Sequence, residues 1–181
     1  MKRPIAGLLF CFGLLAGCHR QSSATAEDLV EISELVALSK LGLPLTVFPR
    51  ADDRASKEYR DFLGCIDSHD GAELRKTFAA AFRQHMSERE IDDAVMFYRS
   101  EAGRRLTQSE LAHSRFMVGL STQEPSSLSE NDEREIKAFE STAAGRKARI
   151  DGTYADPEMV RKISDQAMKM VEQCARKIKQ R

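Results

Sequence analysis

The chain has 181 residues, with 28 lysines and arginines against 28 aspartates and glutamates, and its formal net charge is zero. No basic tract and no interleaving of basic with aromatic residues is present to neutralise phosphates, so no nucleic-acid partner is expected. The length is sufficient for one domain with a buried core.

The start of the chain has the layout of an export signal. Two basic residues precede an apolar run, Ile5–Leu15, which is too short to cross a bilayer as a stable helix. The sequence Leu15-Ala16-Gly17-Cys18 then resembles the lipobox of bacterial lipoproteins, in which cleavage before the cysteine leaves a lipid on that residue. We therefore expect residues 1–17 to be a lipoprotein signal peptide and Cys18 to be lipidated. The alternative is an ordinary cleaved signal in which Cys18 is incidental.

The residues after the lipobox indicate the destination. His19 stands where an aspartate would resemble an inner-membrane retention signal, which favours the outer membrane. Several acyl chains on one residue bind a membrane firmly, whereas a single chain holds only marginally. The expected protein faces the periplasm of the bacterial envelope, with the lipid as its membrane contact and residues 18–26 as a polar tether. Without residues 1–17, 26 basic residues remain against 28 acidic ones, a net charge near −2.

Two cysteines remain when the signal peptide and the lipidated residue are set aside. Cys65 and Cys174 form one even pair in an oxidising compartment, and we predict a disulfide between them. Chain-entropy reasoning gives about 4.7 kcal/mol of stabilisation for a closed loop of about 100 residues. Two buried free thiols are the alternative.

Hydrophobic spacing predicts the first helix and its end. Residues 27–40 carry apolar side chains at intervals of three and four residues, as an amphipathic helix does. Gly42 and Pro44 are expected to end this helix. We therefore expect residues 41–49 to cross beneath the body of the protein as an extended segment.

Two further helices are predicted before the middle of the chain. Residues 51–68 carry an apolar side that places Cys65 next to the core. Asp70-Gly71 indicates a turn, and the spacing over 72–85 predicts a helix that folds back on the preceding one. The two helices are expected to form a hairpin.

A sequence repeat follows, with an offset of 42 residues and no gap. Ser87 with Glu90 predicts a capping box at the start of a helix, and Ser129 with Asp132 repeats it. Residues 86–107 and 128–149 are therefore predicted to be a tandem pair of helical units. The matching motif positions are Phe97 and Phe139, Ser100 and Thr142, Ala102 and Ala144, and Gly103 and Gly145, with Tyr98 present in the first copy only.

The end of each unit predicts a tight corner. Ser100 and Thr142 are expected to cap the next helix, which places Gly103 and Gly145 in its first turn. The missing side chain there lets two backbone segments approach closely. We interpret both glycines as packing residues.

These residues also carry a family resemblance. The run Phe97-Tyr98-Arg99-Ser100-Glu101-Ala102-Gly103, after a capped acidic helix start, is similar to the signature of the bacterial family called domain of unknown function 2059. The resemblance covers roughly residues 60–150. It implies an exported, mostly helical protein with no established activity, and it transfers no catalytic or binding residue to this chain.

The remaining chain completes an all-helical pattern. Pro125 breaks the chain between the units, Asp151-Gly152 indicates a turn, and Asp156-Pro157-Glu158 opens a last helix whose apolar stripe includes Cys174. No window alternates as a surface strand does. We predict an all-α fold in which residues 27–181 form a single helical bundle of about seven or eight helices.

No residue pattern identifies a reaction. His69, His85 and His113 lack the spacing of metal ligands, so surface or cap positions are expected for them. Met168 and Met170 are a pair that a soft copper site would use, but alternate helix positions diverge, and core packing is expected for Met170. We assign no catalytic residue, no metal and no cofactor.

Basic residues recur at the helix junctions of the repeat. A cluster of this kind can bind a carboxylate ligand. Solvation, or pairing with the acidic first turns of the neighbouring helices, is the expected role. The residues are Arg99, Arg104, Arg105, Arg146 and Lys147.

Three functions from different classes remain open. The favoured one is a non-enzymatic, lipid-anchored interaction or stabilising module of the envelope, with an envelope protein as its possible partner. The second is a carrier of a small apolar ligand, which a closed apolar cavity of several hundred cubic ångströms would favour. The third is an enzyme of unrecognised type, which requires acids or histidines from separate helices in one cleft.

Overall fold

The computed structural model describes residues 23–49, 52–149 and 156–180. Within these ranges there is no strand, and eight of the nine α-helices are at least seven residues long, which confirms the predicted helical bundle. The helices are α1 (Ala26–Ile32), α2 (Leu35–Val47), α3 (Lys57–Ser68), α4 (Ala72–His85), α5 (Glu88–Arg99), α6 (Glu101–Met117), α7 (Glu130–Glu140), α8 (Ala143–Ala148) and α9 (Pro157–Lys179), and a 3-10 helix (Asp52–Ala55) precedes α3.

Side-chain caps determine where several helices begin. The predicted capping boxes at Ser87 and Ser129 are confirmed, and Thr25 forms a third one at the start of α1. At α9, the Asp156 carboxylate accepts hydrogen bonds from two first-turn amides, and Pro157 occupies the first helical position, where no amide partner is lost. Each of these starts depends on contacts within three residues along the chain.

The second helix differs from the sequence prediction. The sequence predicts one helix over 27–40 and an extended segment over 41–49, and both predictions are wrong. The first helix ends at Ile32, Glu34 adopts a left-handed backbone conformation with φ of 53°, and α2 then continues to Val47. The break therefore lies at the middle of the predicted helix, at Ser33 and Glu34, and a helix occupies most of the expected crossing.

Burial explains why α2 continues past two helix breakers. Proline inside a helix costs about 3 kcal/mol, because it lacks an amide and crowds the preceding turn. Pro44 and Leu41 are nevertheless buried, and Leu41 joins a small apolar cluster with Tyr59, Leu63 and Val118. We infer that this burial offsets the local cost.

The third helix is also shorter than expected. It begins at Lys57 rather than at residue 51, because the Ser56 side chain accepts a hydrogen bond from the Tyr59 amide and caps it. Tyr59 in turn anchors the end of α6, since its hydroxyl donates to the Val118 carbonyl over 2.6 Å. The predicted helix over 72–85 matches α4, and Gly71 before it adopts a left-handed φ of 65°.

One large core joins most of the helices. Helix α1 contacts α4 and α5, and α9 contacts α3 and α4. Phe78 and Phe82 of α4 are almost completely buried between these layers, as is Phe62 of α3. The apolar stripes of the individual helices thus meet in a common interior.

The last helix is joined to the third by a disulfide. The sulfur atoms of Cys65 in α3 and Cys174 in α9 are 2.06 Å apart, and the Cα atoms are 5.7 Å apart. This geometry supports the pairing predicted from the sequence. Cys174 is fully buried on the same stripe as Met170, while Met168 is exposed, so the core role predicted for Met170 is confirmed.

Candidate functional site

The two repeat units end in the same tight corner. Ser100 and Thr142 cap α6 and α8 by accepting hydrogen bonds from the amides of Gly103 and Gly145. A Cβ atom at Gly103 would lie 2.1 Å from the Phe97 carbonyl oxygen, and one at Gly145 would lie 2.0 Å from that of Phe139. Only glycine fits against a backbone atom at such a distance. The predicted caps and the predicted close approach are both confirmed.

The two units also contact each other through equivalent residues. Phe97 stacks on Phe139 with 3.8 Å between the ring centroids, and Tyr98 meets Phe139 edge-on. The small residues Ala102 and Ala144, which follow the rings in the two units, are both buried. Because each ring meets its own counterpart, the units are related by an approximate two-fold axis between the rings.

Ion pairs repeat this symmetry. Arg105 Nη1 lies 2.9 Å from Asp132 Oδ2, and Lys147 Nζ lies 2.7 Å from Glu90 Oε1. Position 105 corresponds to 147 and position 90 to 132 at the repeat offset of 42 residues. Each unit therefore gives a cation to the capping-box carboxylate of the other, and the predicted pairing of basic residues with acidic first turns is confirmed for Arg105 and Lys147.

The contacts at the two corners lower the pKa values of the capping-box carboxylates. The Ser129 hydroxyl, followed by the Arg105 guanidinium, lowers the pKa of Asp132 below its ordinary value. The Lys147 ammonium, followed by the Ser87 amide, lowers the pKa of Glu90. Both carboxylates are held in their charged form by groups that stabilise the corner.

Two further basic residues of the corners bind backbone carbonyl groups. Arg104 donates to the Arg99 carbonyl, and Arg146 donates to the Ser141 carbonyl, which is the equivalent contact in the second unit. Such guanidinium groups satisfy the last carbonyls of the preceding helix. The arrangement identifies the corners as structural joints between helices.

The histidines lie apart from one another. His69 Nε2 lies 3.2 Å from Gln173 Oε1, and His85 Nε2 lies 3.3 Å from Asp156 Oδ2. The third, His113, is exposed on α6. In the part of the chain that the structure describes, no three His, Cys, Asp or Glu side chains are arranged to hold a metal ion.

A large cleft opens between α2, α6, α9 and the residues that precede α7. Its volume is about 810 Å³, and it is partly open to solvent. One wall consists of Pro125, Ser126, Ser127 and Leu128, and the same four residues also line a smaller, more polar hollow of about 460 Å³. The floor of the cleft is apolar and consists of Leu35, Leu38, Leu43, Leu74, Leu106 and Ile163.

Gly42 enlarges the cleft. The residue lines it from α2, and a Cβ atom at this position would meet no other atom within 4 Å. The sequence prediction took Gly42 for the end of a helix and therefore missed the cleft. The sequence did contain a signal for the cleft, because the residues of α2 are apolar on more than one face. Such a helix must be covered on several sides.

The predicted lipidation site cannot be placed in this arrangement. Cys18 and residues 1–17 lie outside the described residues, as does the predicted turn at Asp151-Gly152. Among the helices that are described, none combines the length and apolar character that spanning a bilayer requires. The membrane contact expected from the sequence therefore stays a prediction.

Comparison with known proteins supports the family resemblance for part of the chain. The profile of the family described as "Uncharacterized protein conserved in bacteria (DUF2059)" matches residues 72–124, which is less than half of the 181-residue chain. The match covers α4 to α6 and is narrower than the range 60–150 expected from the motif; it leaves out the second unit and both disulfide cysteines. No curated protein and no solved structure matches the chain.

Proposed function

We propose that this protein is a non-enzymatic, lipid-anchored binding protein of the bacterial envelope that holds a small apolar ligand in the cleft between α2, α6 and α9. The observation that carries the proposal is the cleft itself, with a volume of about 810 Å³ and a floor of leucine and isoleucine side chains. Ligand sites in proteins are mostly apolar hollows of roughly 300–1,000 Å³. The cleft has this size and this lining, although it is more open than the closed cavity that the carrier hypothesis anticipates.

The side chains of the cleft support binding more than catalysis. Two ionisable residues line it within the described chain, Glu110 and His113, both from α6. The Glu110 carboxylate accepts a hydrogen bond of 2.6 Å from Arg149 and is directed towards that guanidinium. A catalytic cleft would instead gather acids or bases from separate helices around one reacting atom.

The location within the proposal rests on the start of the chain. Leu15-Ala16-Gly17-Cys18 resembles a lipobox, and His19 favours transfer to the outer membrane over retention. A disulfide between Cys65 and Cys174 suits an oxidising compartment such as the periplasm. A Cys18→Ser variant should lose metabolic labelling with palmitate and leave the membrane fraction. Unchanged processing of the precursor in the presence of globomycin would contradict the anchor.

Ligand binding is tested with a neutral apolar fluorophore, N-phenyl-1-naphthylamine, whose emission rises when it leaves water. We expect saturable binding of one fluorophore per chain. Gly42→Trp places an indole in the cleft, because a Cβ at this position meets no other atom within 4 Å, and it should weaken binding by about tenfold. Gly64→Trp is the matched control, because Gly64 is also helical with open space around its Cβ but does not line the cleft, and it should leave binding unchanged.

The same two variants also show whether the introduced tryptophan is buried and whether a second copy of the chain occupies the cleft. The chain contains no tryptophan, so each variant has a single one, and emission from Gly42→Trp should be blue-shifted relative to Gly64→Trp. Equal emission maxima, or fluorophore binding that both variants tolerate, would contradict the proposal. So would a dimer that dissociates in Gly42→Trp alone, because a second copy would then occupy the cleft.

An interaction module is a second candidate function. Three large apolar side chains at the end of α6 are exposed by 38 to 46%, namely Phe116, Met117 and Leu120. Exposed apolar groups of this kind are used at protein–protein contacts. A photo-crosslinking residue in place of Phe116 should then capture an envelope protein in intact membranes, whereas the same residue in place of exposed Met96 on α5 should not.

A further inference from the structure

We propose that the ligand of this cleft is an uncharged, chain-like amphiphile, with an apolar body on the leucine floor and a hydroxyl-bearing head at the cleft mouth. This inference rests on the proposed binding function and specifies the chemistry of the ligand. It follows from the distribution of polar groups, their hydrogen bonding and the charges around the cleft.

Polarity changes from the floor of the cleft to its mouth. Leu74, Leu106 and Ile163 on the floor are at most 5% exposed. Six serines line the more exposed part of the cleft: Ser39, Ser109, Ser114, Ser126, Ser127 and Ser164. A ligand that matches this gradient has an apolar part that leaves water and a polar part that stays near it.

The serine hydroxyls are available to a ligand. Within the described chain, none of the six side chains forms a hydrogen bond to another protein group. Thr46 on the same wall behaves differently, because its hydroxyl donates to the Leu43 carbonyl over 2.7 Å. A free hydroxyl both donates and accepts, so a group of them suits a head that carries hydroxyls itself.

The charges of the cleft disfavour a charged head. No lysine or arginine is among the described residues that line it. A carboxylate or phosphate head would therefore leave water without a cationic partner, which is costly. A cationic head would have to compete with Arg149 for Glu110, whose ion pair measures 2.6 Å. An uncharged head avoids both costs.

The cleft runs along most of α2. Its lining on this helix extends from Leu35 to Thr46, and at 1.5 Å per residue this distance is about 16 Å. Floor residues continue onto α4, α6 and α9 through Leu74, Leu106 and Ile163. A long, thin apolar body fits such a groove better than a compact one.

The test is competition against bound N-phenyl-1-naphthylamine by three ligands with the same dodecyl-length chain, each below its micellar concentration. The ligands are 1-monododecanoylglycerol, dodecanoate and dodecyltrimethylammonium. We expect the uncharged glycerol ester to displace the fluorophore at a concentration about tenfold lower than either charged ligand. Dodecanoate or the ammonium ligand displacing it equally well would overturn the uncharged head while leaving the proposed binding function intact.

Variants of cleft-lining residues test recognition of the ligand's polar head separately from recognition of its apolar body. Ser109→Ala with Ser114→Ala should weaken binding of the glycerol ester about threefold or more relative to binding of the fluorophore by the same variant. An unchanged affinity for the ester would overturn the role of the serines. His113→Gln should leave the order of the three ligands unchanged, and a reversed order would show that the imidazole selects the head. If the fluorophore fails to bind the unmodified protein, the proposed function itself has failed.

Discussion

Phe97 and Phe139 stack face to face with ring planes inclined by 6° and centroids 3.8 Å apart. Aromatic pairs prefer offset or edge-on arrangements with centroids about 4.5–7 Å apart. The face-to-face contact of Phe97 and Phe139 is therefore not the preferred geometry of an isolated ring pair. The two residues occupy the same position in the two repeat units. The packing of one unit against the other about the approximate two-fold axis therefore holds the rings in this arrangement.

The corner glycines should be sensitive to the smallest substitution. Gly103→Ala and Gly145→Ala each place a Cβ within about 2 Å of a carbonyl oxygen, and such overpacking should lower the free energy of unfolding by about 1–3 kcal/mol. Gly64→Ala is the control, because its Cβ would meet open space. It should raise the free energy of unfolding by about 0.5–1 kcal/mol through helix propensity. Urea unfolding measures all three, and a corner variant as stable as the parent would show that the close approach is not required.

The reciprocal ion pairs should couple the two units. We expect a double-mutant cycle with Arg105→Gln and Asp132→Asn to give a favourable coupling energy, because the Asp132 side chain is only 5% exposed and also caps α7. The same cycle for Lys147→Gln and Glu90→Gln should give a coupling of the same sign.

An exposed pair within one helix is the control for both cycles. Lys76 and Glu73 lie 2.7 Å apart, with side chains 74% and 64% exposed, and should couple weakly because water screens them. A coupling at Arg105 and Asp132 no larger than that of the control pair would contradict a role of the reciprocal pairs in joining the units. Unfolding in urea at neutral pH supplies the energies.

Stability should fall in acid, and the corner carboxylates should account for part of the loss. The pKa values of Glu90 and Asp132 are lowered in the folded protein, so their contribution is complete above the unfolded-state pKa of about 4 and is lost as the pH falls through the lower folded values. The urea midpoint should therefore decrease below about pH 5. The Glu90→Gln and Asp132→Asn double variant should show a shallower decrease, and an identical pH profile would contradict this origin.

The disulfide should make a large contribution to stability. It joins residues separated by 109 positions, and replacement of Cys65 and Cys174 by serine should lower the free energy of unfolding by about 2–5 kcal/mol. Urea unfolding compares the variant with the oxidised parent. Thiol titration of the denatured parent should gain two thiols on reduction, and no gain would show that the two cysteines are unpaired.

The sequence by itself determined the features that depend on near neighbours. The caps at Ser87, Ser100, Ser129 and Thr142 all form as predicted, because each cap accepts a hydrogen bond from an amide three residues further along the chain. The repeat of the Phe and Gly positions likewise indicated two equivalent corners. The pairing of the cysteines followed from their number and the expected compartment, and the structure places their sulfur atoms at bonding distance.

Only the tertiary structure decided what happens where local preference and burial oppose each other. Gly42 and Pro44 are helix breakers in isolation, yet α2 passes through both because Leu41 and Pro44 are buried against other helices. The cleft follows from the same helix, since its second apolar face meets α6 and α9 across open space. The partners of Arg105 and Lys147 are also set by tertiary packing, because they lie 27 and 57 residues away along the chain. Spacing within one helix cannot reveal contacts of that kind.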